Sequence, residues 1–250
     1  MKISQILMSL TIDIMNFSRD PIGKAIHGYS KNQKDLDIIV KSDICENDII
    51  PLEVLFRSFN EMPEIEKTAL SRVKGKILDV GACAGPHSLE LINRGHKNIH
   101  AIDISKGSIE YLKSKNISAE QSSFLNHKQT KYDTILMLMN GIGVAGKLSN
   151  LKKTLQHANK LLNTGGILLC DSSDIKYLYE EEDGSLWIDL NEEYYGNFRF
   201  QMEYKNEKSS WFDWLYVDYE NLHKTAIEAG FKCQKITDEN EHYLAELTKI

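Results

Sequence analysis

Short apolar runs and amphipathic segments alternate through the middle of the chain. The apolar runs predict strands at residues 76–80, 98–102, 132–137 and 167–171, and a short strand is predicted near 117–121. Between them, apolar residues at helical spacing predict helices at 86–94, 106–115 and 147–162. This alternation predicts right-handed crossovers and an α/β fold, in which a mostly parallel sheet carries helices on both faces.

The C-terminal part follows a different pattern. Aromatic and polar residues alternate over 198–204, a turn follows at 205–210, and a second strand is predicted at 211–217, which together indicate an antiparallel hairpin. Asp218 is placed to cap a helix over 219–229. Two last strands, at 231–236 and 243–248, are joined by a loop so short that they must be antiparallel.

The first 70 residues are predicted to be mostly helical and to form an N-terminal cap on a domain of residues 71–250. Ile3, Ile6, Leu7, Leu10 and Ile14 fall at helical spacing and predict an amphipathic helix. A charged residue within this stretch and the lack of a small-residue cleavage site argue against a signal peptide.

Composition narrows the possible functions. The chain has 250 residues, a net charge of −6 and a pI of about 5.8, so a nucleic-acid binder is disfavoured. It has no run of 18 apolar residues, so no membrane span is expected. Cys45, Cys83, Cys170 and Cys233 lie far apart without a C-x-x-C pair, which predicts free thiols in a reducing cytoplasm and no metal site.

A glycine-rich turn follows the first central strand and carries the main chemical signal. In LDVGACAG, Asp79 precedes Gly81 by two residues, and Gly85 opens the next helix. Glycine after a buried strand lets a ligand approach the backbone and the free N–H groups of that helix. The spacing is not G-x-G-x-x-G, and the Asp79 carboxylate would repel a phosphate, so the turn favours a ligand with an amine or another positive centre.

Asp103 ends the second central strand, 22 residues after Gly81. A carboxylate at this place in a nucleotide-binding crossover accepts ribose hydroxyls. The alternative is that Asp103 and Ser105 only cap the next helix, and both roles are compatible. Ligands of such sheets lie beyond the carboxyl ends of the strands, where Asp79, Asp103 and residues 139–141 are all expected.

The segments ILDVGACAG, AIDIS, KYDTILMLMNGIG and LLNTGGILLCDSSD resemble, in this order, the motifs of class I S-adenosylmethionine (SAM)-dependent methyltransferases. The resemblance implies a Rossmann-like, mostly parallel seven-stranded sheet with an antiparallel last strand, and SAM as cofactor. It also implies that one loop cradles the methionine part of SAM, that Asp103 binds the ribose, that Ile104 flanks adenine, and that a second loop lines the transfer site. The first loop comprises Asp79, Gly81, Ala82, Cys83 and Gly85, and the second comprises Met139, Asn140 and Gly141.

Two positions depart from the family pattern. Cys83 replaces the usual middle glycine, which is tolerable if its φ is negative. Ser123 and Phe124 stand where the family often has an acid for the adenine amine. Backbone groups, together with packing on Phe124 or Ile104, are therefore expected to recognise adenine.

Methyl transfer from a sulfonium mainly requires alignment of the reactants, and a general base is optional. The sequence contains no evident catalytic triad. Candidates for orientation or proton removal are Asp171, Asp174, Tyr194, Tyr195 and His87. Each has a structural alternative, since aspartates cap turns and a histidine in a first helical turn is more often packed or solvated.

Residues 172–219 hold 13 of the chain's 22 aromatic residues, interleaved with acids. One interpretation is an inserted hairpin at 172–217 that forms a substrate cap, with Tyr195 and Trp211 facing a cationic or aromatic small molecule. The other is an added core or a homodimer contact, since any half-buried hairpin needs alternating aromatics. Arg57 and Tyr29 are candidates to meet the cofactor carboxylate or the substrate, and an exposed Arg57 is the alternative.

The sequence thus predicts a cytoplasmic SAM-dependent methyltransferase that acts on a small molecule. A non-catalytic SAM- or nucleotide-binding module on the same fold is the alternative. The glycine spacing disfavours a nucleotide-dependent oxidoreductase. Nucleic-acid methylation is disfavoured by the charge and by MNGI at 139–142, where an N-P-P-Y-like tetrad would stand.

Overall fold

A computed structural model describes residues 19–33, 37–129, 131–179 and 193–250 of the chain. The amphipathic helix predicted at residues 3–14 lies outside these ranges, as does the acidic middle of the insert at 180–192. Of the helices in these ranges, none combines the length and the apolar character that a membrane span requires. The four cysteines are free thiols, as predicted.

The central sheet has seven strands: β3 (Ile77–Val80), β4 (Ile99–Asp103), β5 (Ser118–Gln121), β6 (Tyr132–Met137), β7 (Leu162–Ser173), β11 (Phe231–Glu239) and β12 (His242–Lys249). Their order in the sheet is β11-β12-β7-β6-β3-β4-β5. Strands β3 to β7 are mutually parallel, whereas β12 runs antiparallel to both of its neighbours. The prediction of a mostly parallel sheet with an antiparallel last strand is therefore confirmed.

Helices cover both faces of this sheet because the apolar residues of β3, β4, β6 and β7 are buried. One face packs on α3 (Glu64–Ser71), α4 (Pro86–Asn93) and α5 (Lys106–Ser114). The other face packs on α6 (Leu148–Leu161) and α7 (Tyr219–Glu228). The Asp218 side chain accepts a hydrogen bond from the Asn221 N–H and caps α7, as predicted.

The N-terminal segment differs from the mostly helical prediction. Besides α1 (Pro21–Ser30) and the short α2 (Leu52–Leu55), it contains strands β1 (Ile38–Ser42) and β2 (Asp48–Ile50). These strands join β8 (Asn197–Tyr204), β9 (Glu207–Lys208) and β10 (Phe212–Leu215) in a second, antiparallel sheet in the order β10-β8-β1-β2, with β9 beside β8. The predicted hairpin is present as β8 and β10, but its other edge is covered by the N-terminal segment.

Helix α1 packs on the N-terminal end of α5 through two glycines. A Cβ added to Gly107 would lie 2.5 Å from the Gly23 Cα atom, so the two backbones approach without room for a side chain. The Asp20 carboxylate accepts hydrogen bonds from the Gly23 N–H, the Ser105 hydroxyl and the Gly107 N–H at 2.8–2.9 Å. These contacts fix the N-terminal segment beside the glycine-rich turn.

Gly107→Ala is expected to lower the free energy of unfolding by about 1–3 kcal/mol, because the added methyl forces α1 away from α5. The effect is opposite to the helix propensity of alanine, which alone would stabilise α5 by about 1 kcal/mol. Urea unfolding measures the change, with the exposed Lys113→Ala in the same helix as control. A Gly107→Ala protein as stable as the wild type would show that the glycine contact is not required.

Candidate active site

The carboxyl ends of the parallel strands meet at one edge of the central sheet, and the glycine-rich turn leaves β3 at this edge. The turn contains three residues in the left-handed region: Gly81 (φ +69°), Cys83 (φ +53°) and Gly85 (φ +77°). The condition of a negative φ, under which cysteine replaces the usual glycine without strain, is therefore not met at Cys83. The Cys83 N–H donates a hydrogen bond of 2.8 Å to Asp103 Oδ2, which helps to hold a conformation that costs a non-glycine residue about 1–2 kcal/mol.

The two glycines of the turn serve different purposes. A Cβ on Gly81 would meet no atom within 4 Å, so the space beside this residue is open to a ligand. A Cβ on Gly85 would lie 2.5 Å from Leu112 Cδ2, so Gly85 allows close packing against α5. Of the two, Gly81 therefore forms the open part of the turn.

Asp79 lies beneath this open space and is buried. Its carboxylate accepts a hydrogen bond of 2.6 Å from the Ser88 hydroxyl. Burial raises the pKa of Asp79, against the opposing influence of His87 and Ser88. The walls of the adjacent pocket comprise Leu55, Asp79, Val80, Gly81, Ala82, Cys83, Pro86, His87, Leu138 and Met139. A buried acid facing a small pocket suits a cationic ligand group.

Asp103 stands beside the turn at the end of β4. Its carboxylate accepts hydrogen bonds of 2.8 Å from the backbone N–H groups of Cys83 and Ser105. Burial raises the pKa of Asp103 to about 6 despite these two donors, and the nearby Asp20 and Asp79 add to the rise. Ser105 caps α5 by accepting from the Ser108 N–H. The capping role is thus present, and the contact with a ribose stays a prediction.

A buried ionic network that the sequence did not indicate lies behind the pocket. Glu66 of α3 accepts hydrogen bonds from the Arg57 guanidinium and from His87, whose Nε2 is 2.7 Å from Glu66 Oε2. Burial raises the pKa of Glu66, but the bonds to His87 and Arg57 outweigh burial and hold it below its usual value. Arg57 is buried rather than exposed, and its Nη1 also donates to the Val54 carbonyl. The network connects the N-terminal segment to the pocket wall through His87.

The sequence did not indicate a buried role for Glu66, because its neighbours Glu64, Lys67 and Thr68 give α3 the pattern of an ordinary charged helix. The one available signal was its place among the buried apolar positions of that helix. A buried glutamate at such a position needs a cationic partner.

The loop after β6 is held by a second buried acid. Met139 (φ +67°) and Asn140 (φ +54°) are left-handed, and the N–H groups of Asn140 and Gly141 donate to the Asp171 carboxylate. Asp171 is fully buried and accepts a third bond from His242, whose Nε2 is 2.7 Å from Asp171 Oδ2. Asp171, predicted to orient substrate or remove a proton, therefore fixes the shape of this loop. His242 was missed because no motif surrounds it, although the antiparallel β12 starts at this edge.

The His242–Asp171 bond predicts a pH-dependent contribution to stability. The hydrogen bond to Asp171 raises the pKa of His242 above its ordinary 6.5. The contribution, about 1 kcal/mol for a half-exposed charged hydrogen bond, is fully present below the pKa of the unfolded state. It is lost as the pH rises through the higher folded pKa.

His242→Gln is therefore expected to be less stable than the wild type at pH 6, and the difference should shrink at pH 9. Urea unfolding at both pH values measures it, with the exposed His223→Gln as control. A stability difference that is constant with pH would contradict the charged bond.

The tyrosines that were candidates for catalysis are bound to carboxylates near the end of β7. The Tyr195 hydroxyl donates to Asp174 Oδ1 at 2.7 Å, so these two candidates meet, and the Tyr194 hydroxyl donates to Asp218. Burial and the hydrogen bonds to these carboxylates raise the pKa of both tyrosines. Neither tyrosine is therefore a phenolate base near neutral pH.

Other predicted positions lie apart from the pocket walls. Ile104 is 60% exposed, and Ser123 starts the short 3₁₀ helix of residues Phe124–Asn126. The Phe124 ring is buried in the core against His157, and its packing on adenine stays a prediction. Trp211 is exposed beside the Arg199 guanidinium. Instead, Trp214 packs on the loop after β6, where a Cβ on Gly143 would lie 2.2 Å from its indole ring.

This sheet order, with a glycine turn after β3 and acids ending β3 and β4, defines a Rossmann-like methyltransferase fold. A family model described as a methyltransferase domain matches residues 71–242. A SAM-dependent methyltransferase from Bacteroides fragilis, solved in complex with S-adenosyl-L-homocysteine (SAH), is 40% identical with a TM-score of 0.86. That alignment covers 94% of this chain and 100% of the other.

More distant structures share the fold. The sugar N-methyltransferase KedS8 from Streptoalloteichus sp. is 14% identical with a TM-score of 0.54, and the alignment covers 79% of this chain and 92% of that one. A comparison with curated proteins found no match. The chain belongs to the SAM-dependent methyltransferases, which confirms the family, the Rossmann-like fold and the cofactor predicted from the sequence.

Proposed function

We propose that the protein transfers a methyl group from SAM to a small molecule bound between the loop after β6 and the second sheet. The observation that carries the cofactor site is the open space beside Gly81, with the buried Asp79 carboxylate beneath it and Asp103 at the next strand. When bound, SAM supplies an electrophilic methyl group. The chain's own residues bind the cofactor and the acceptor, align them with each other and exclude water.

The two acids at the strand ends bind different parts of the cofactor. Asp79 receives the amino group of the methionine part, because a cation compensates the cost of a buried carboxylate. Asp103 receives the ribose hydroxyls, and its bond to the Cys83 N–H keeps its carboxylate beside the turn. Arg57 is the candidate for the methionine carboxylate, since its buried Nε makes no hydrogen bond to the described residues. Ile104, Ser123 and the backbone of Phe124 surround adenine.

The small-molecule acceptor is supported by the aromatic groups near the end of β7. Tyr194 and Tyr195 lie with ring centroids 4.5 Å apart, and the Tyr179 hydroxyl donates to the Tyr195 carbonyl. The carboxylates of Asp174 and Asp218 stand behind these rings. Aromatic faces backed by acids suit a cationic or aromatic acceptor. Asp174 is the proposed proton acceptor, reached through the Tyr195 hydroxyl, and Trp211 belongs to the outer rim.

Two measurements test this function. Calorimetry with SAH is expected to give micromolar binding, and absence of binding at millimolar SAH would refute the cofactor site. Incubation with methyl-labelled SAM and fractionated small metabolites is expected to yield a labelled low-molecular-weight product. Binding of SAH with no transfer to any fraction would identify a binding module, and label on protein or nucleic acid would refute a small-molecule acceptor.

A further inference from the structure

Three potential metal ligands meet at the outer edge of the central sheet, away from the cofactor pocket. His100 belongs to β4, Glu120 to the edge strand β5, and His127 follows the 3₁₀ helix of residues Phe124–Asn126. One ligand atom from each residue lies within 4.8 Å of the other two. Because the three come from separate segments, no sequence spacing indicated a site.

The distances fit a small divalent ion. Glu120 Oε2 lies 3.1 Å from His127 Nδ1 and 3.6 Å from His100 Nε2. Ligands bound to Zn²⁺ at 2.0–2.2 Å in a tetrahedron are separated by about 3.3–3.6 Å. The side chains therefore need only small movements to surround an ion.

The other nitrogen of each imidazole is already held by a hydroxyl. His100 Nδ1 is 2.9 Å from Ser118 Oγ, and His127 Nε2 is 3.0 Å from the Tyr132 hydroxyl. Metal-binding histidines usually have such a partner, which fixes the ring orientation and the tautomer. In both residues the nitrogen that faces Glu120 is the one left to bind an ion.

The contact between His127 and Glu120 is compatible with an ion. The Tyr132 hydroxyl lies 3.1 Å from Gln129 Oε1 and 3.0 Å from His127 Nε2. In the tautomer whose Nε2–H donates to Tyr132, the Nδ1 lone pair faces the Glu120 carboxylate, and a cation between them would bind both.

The buried ring nitrogen of His100 favours the ion, and a nearby lysine opposes it. His100 Nε2 is buried and makes no hydrogen bond to the described residues. Opposing this, the Lys76 ammonium lies over the Tyr132 ring, 4.7 Å from its centroid.

We propose that His100 Nε2, His127 Nδ1 and the Glu120 carboxylate bind one divalent transition-metal ion, with Zn²⁺ as the best match. Glu120 is half exposed, so water completes the coordination. The ion ties β5 and the segment 122–127 to β4. This segment contains Ser123 and Phe124, so the site stabilises the part of the fold next to the proposed adenine position. It lies outside the transfer chemistry and is independent of the proposed function.

The test uses the untagged full chain after dialysis against EDTA. Titration with Co²⁺ is expected to produce visible d–d absorption that saturates at one ion per chain and disappears on addition of Zn²⁺. Zn²⁺ should also raise the melting temperature. His100→Gln and His127→Gln are expected to abolish both effects, Glu120→Gln to weaken binding at least tenfold, and the exposed His223→Gln to change nothing.

Several outcomes would overturn the site. Absence of d–d bands and of a melting shift in the wild type would refute it, as would bands that persist in His127→Gln. An imidazolium signal of His127 at neutral pH in the presence of Zn²⁺ would show that a proton occupies the position. If the histidine variants fail to fold, Glu120→Gln decides, because this half-exposed residue is dispensable for packing, and unchanged Co²⁺ binding would refute the proposal.

Discussion

Replacing Glu66 by alanine is expected to lower the free energy of unfolding by about 3–5 kcal/mol. The substitution leaves the buried Arg57 guanidinium and the His87 ring without their shared acceptor. The matched control is Glu64→Ala in the same helix, whose exposed ion pair with Lys67 is worth about 0–1 kcal/mol. Urea unfolding at pH 7 compares the two variants. Equal losses would show that the network contributes no more than a surface pair.

The same network predicts a pH dependence. The pKa of Glu66 is lowered on folding, so its stabilising contribution is fully present above the unfolded value of about 4.5. The contribution is lost as the pH falls through the lower folded pKa. The stability difference between the wild type and Glu66→Ala should therefore be largest near neutral pH and shrink in acid.

Asp103→Asn is expected to weaken SAH binding tenfold to a hundredfold at pH 7.5, about 1.5–3 kcal/mol. This is the contribution of hydrogen bonds to a charged acceptor. Because the pKa of Asp103 is about 6 in the free protein, wild-type affinity should also fall as the pH drops below that value. The affinity of the variant should change much less over the same range.

Calorimetry between pH 5 and pH 8 measures both effects, and Glu110→Gln removes an equal but exposed charge as control. Melting of the ligand-free variants separates lost binding from lost folding. If Asp103→Asn binds SAH with the affinity of the wild type, Asp103 does not belong to the cofactor site.

Local sequence patterns were sufficient to predict the strands and helices of the central sheet. The bounds of β6 match the prediction, and α4 and α5 begin at their predicted residues. Each of these elements depends on the periodicity of its own few residues and on a turn next to it. The cap at Asp218 and the glycine turn after β3 are of the same kind.

Long-range pairing was not predictable in this way. Residues 38–40 are a short apolar run whose partners in β8 lie about 160 residues further along the chain, with Ile39 opposite Glu203. A run of this length fits a helix or a strand equally well. Only the open edge of β8 decides that it is a strand.

The sequence by itself determined the class of the protein, because the glycine turn, the acids at the strand ends and the alternation of strands and helices are properties of short segments. Other features were decided by the tertiary structure alone. They are the left-handed conformation of Cys83 and the hydrogen bond that Glu66 accepts from His87. They also include the hydrogen bond between His242 and Asp171, and the proximity of His100, Glu120 and His127. These features depend on which distant side chains share a buried volume. Hydrogen bonds there are strong because water is excluded, and no local pattern records the partner.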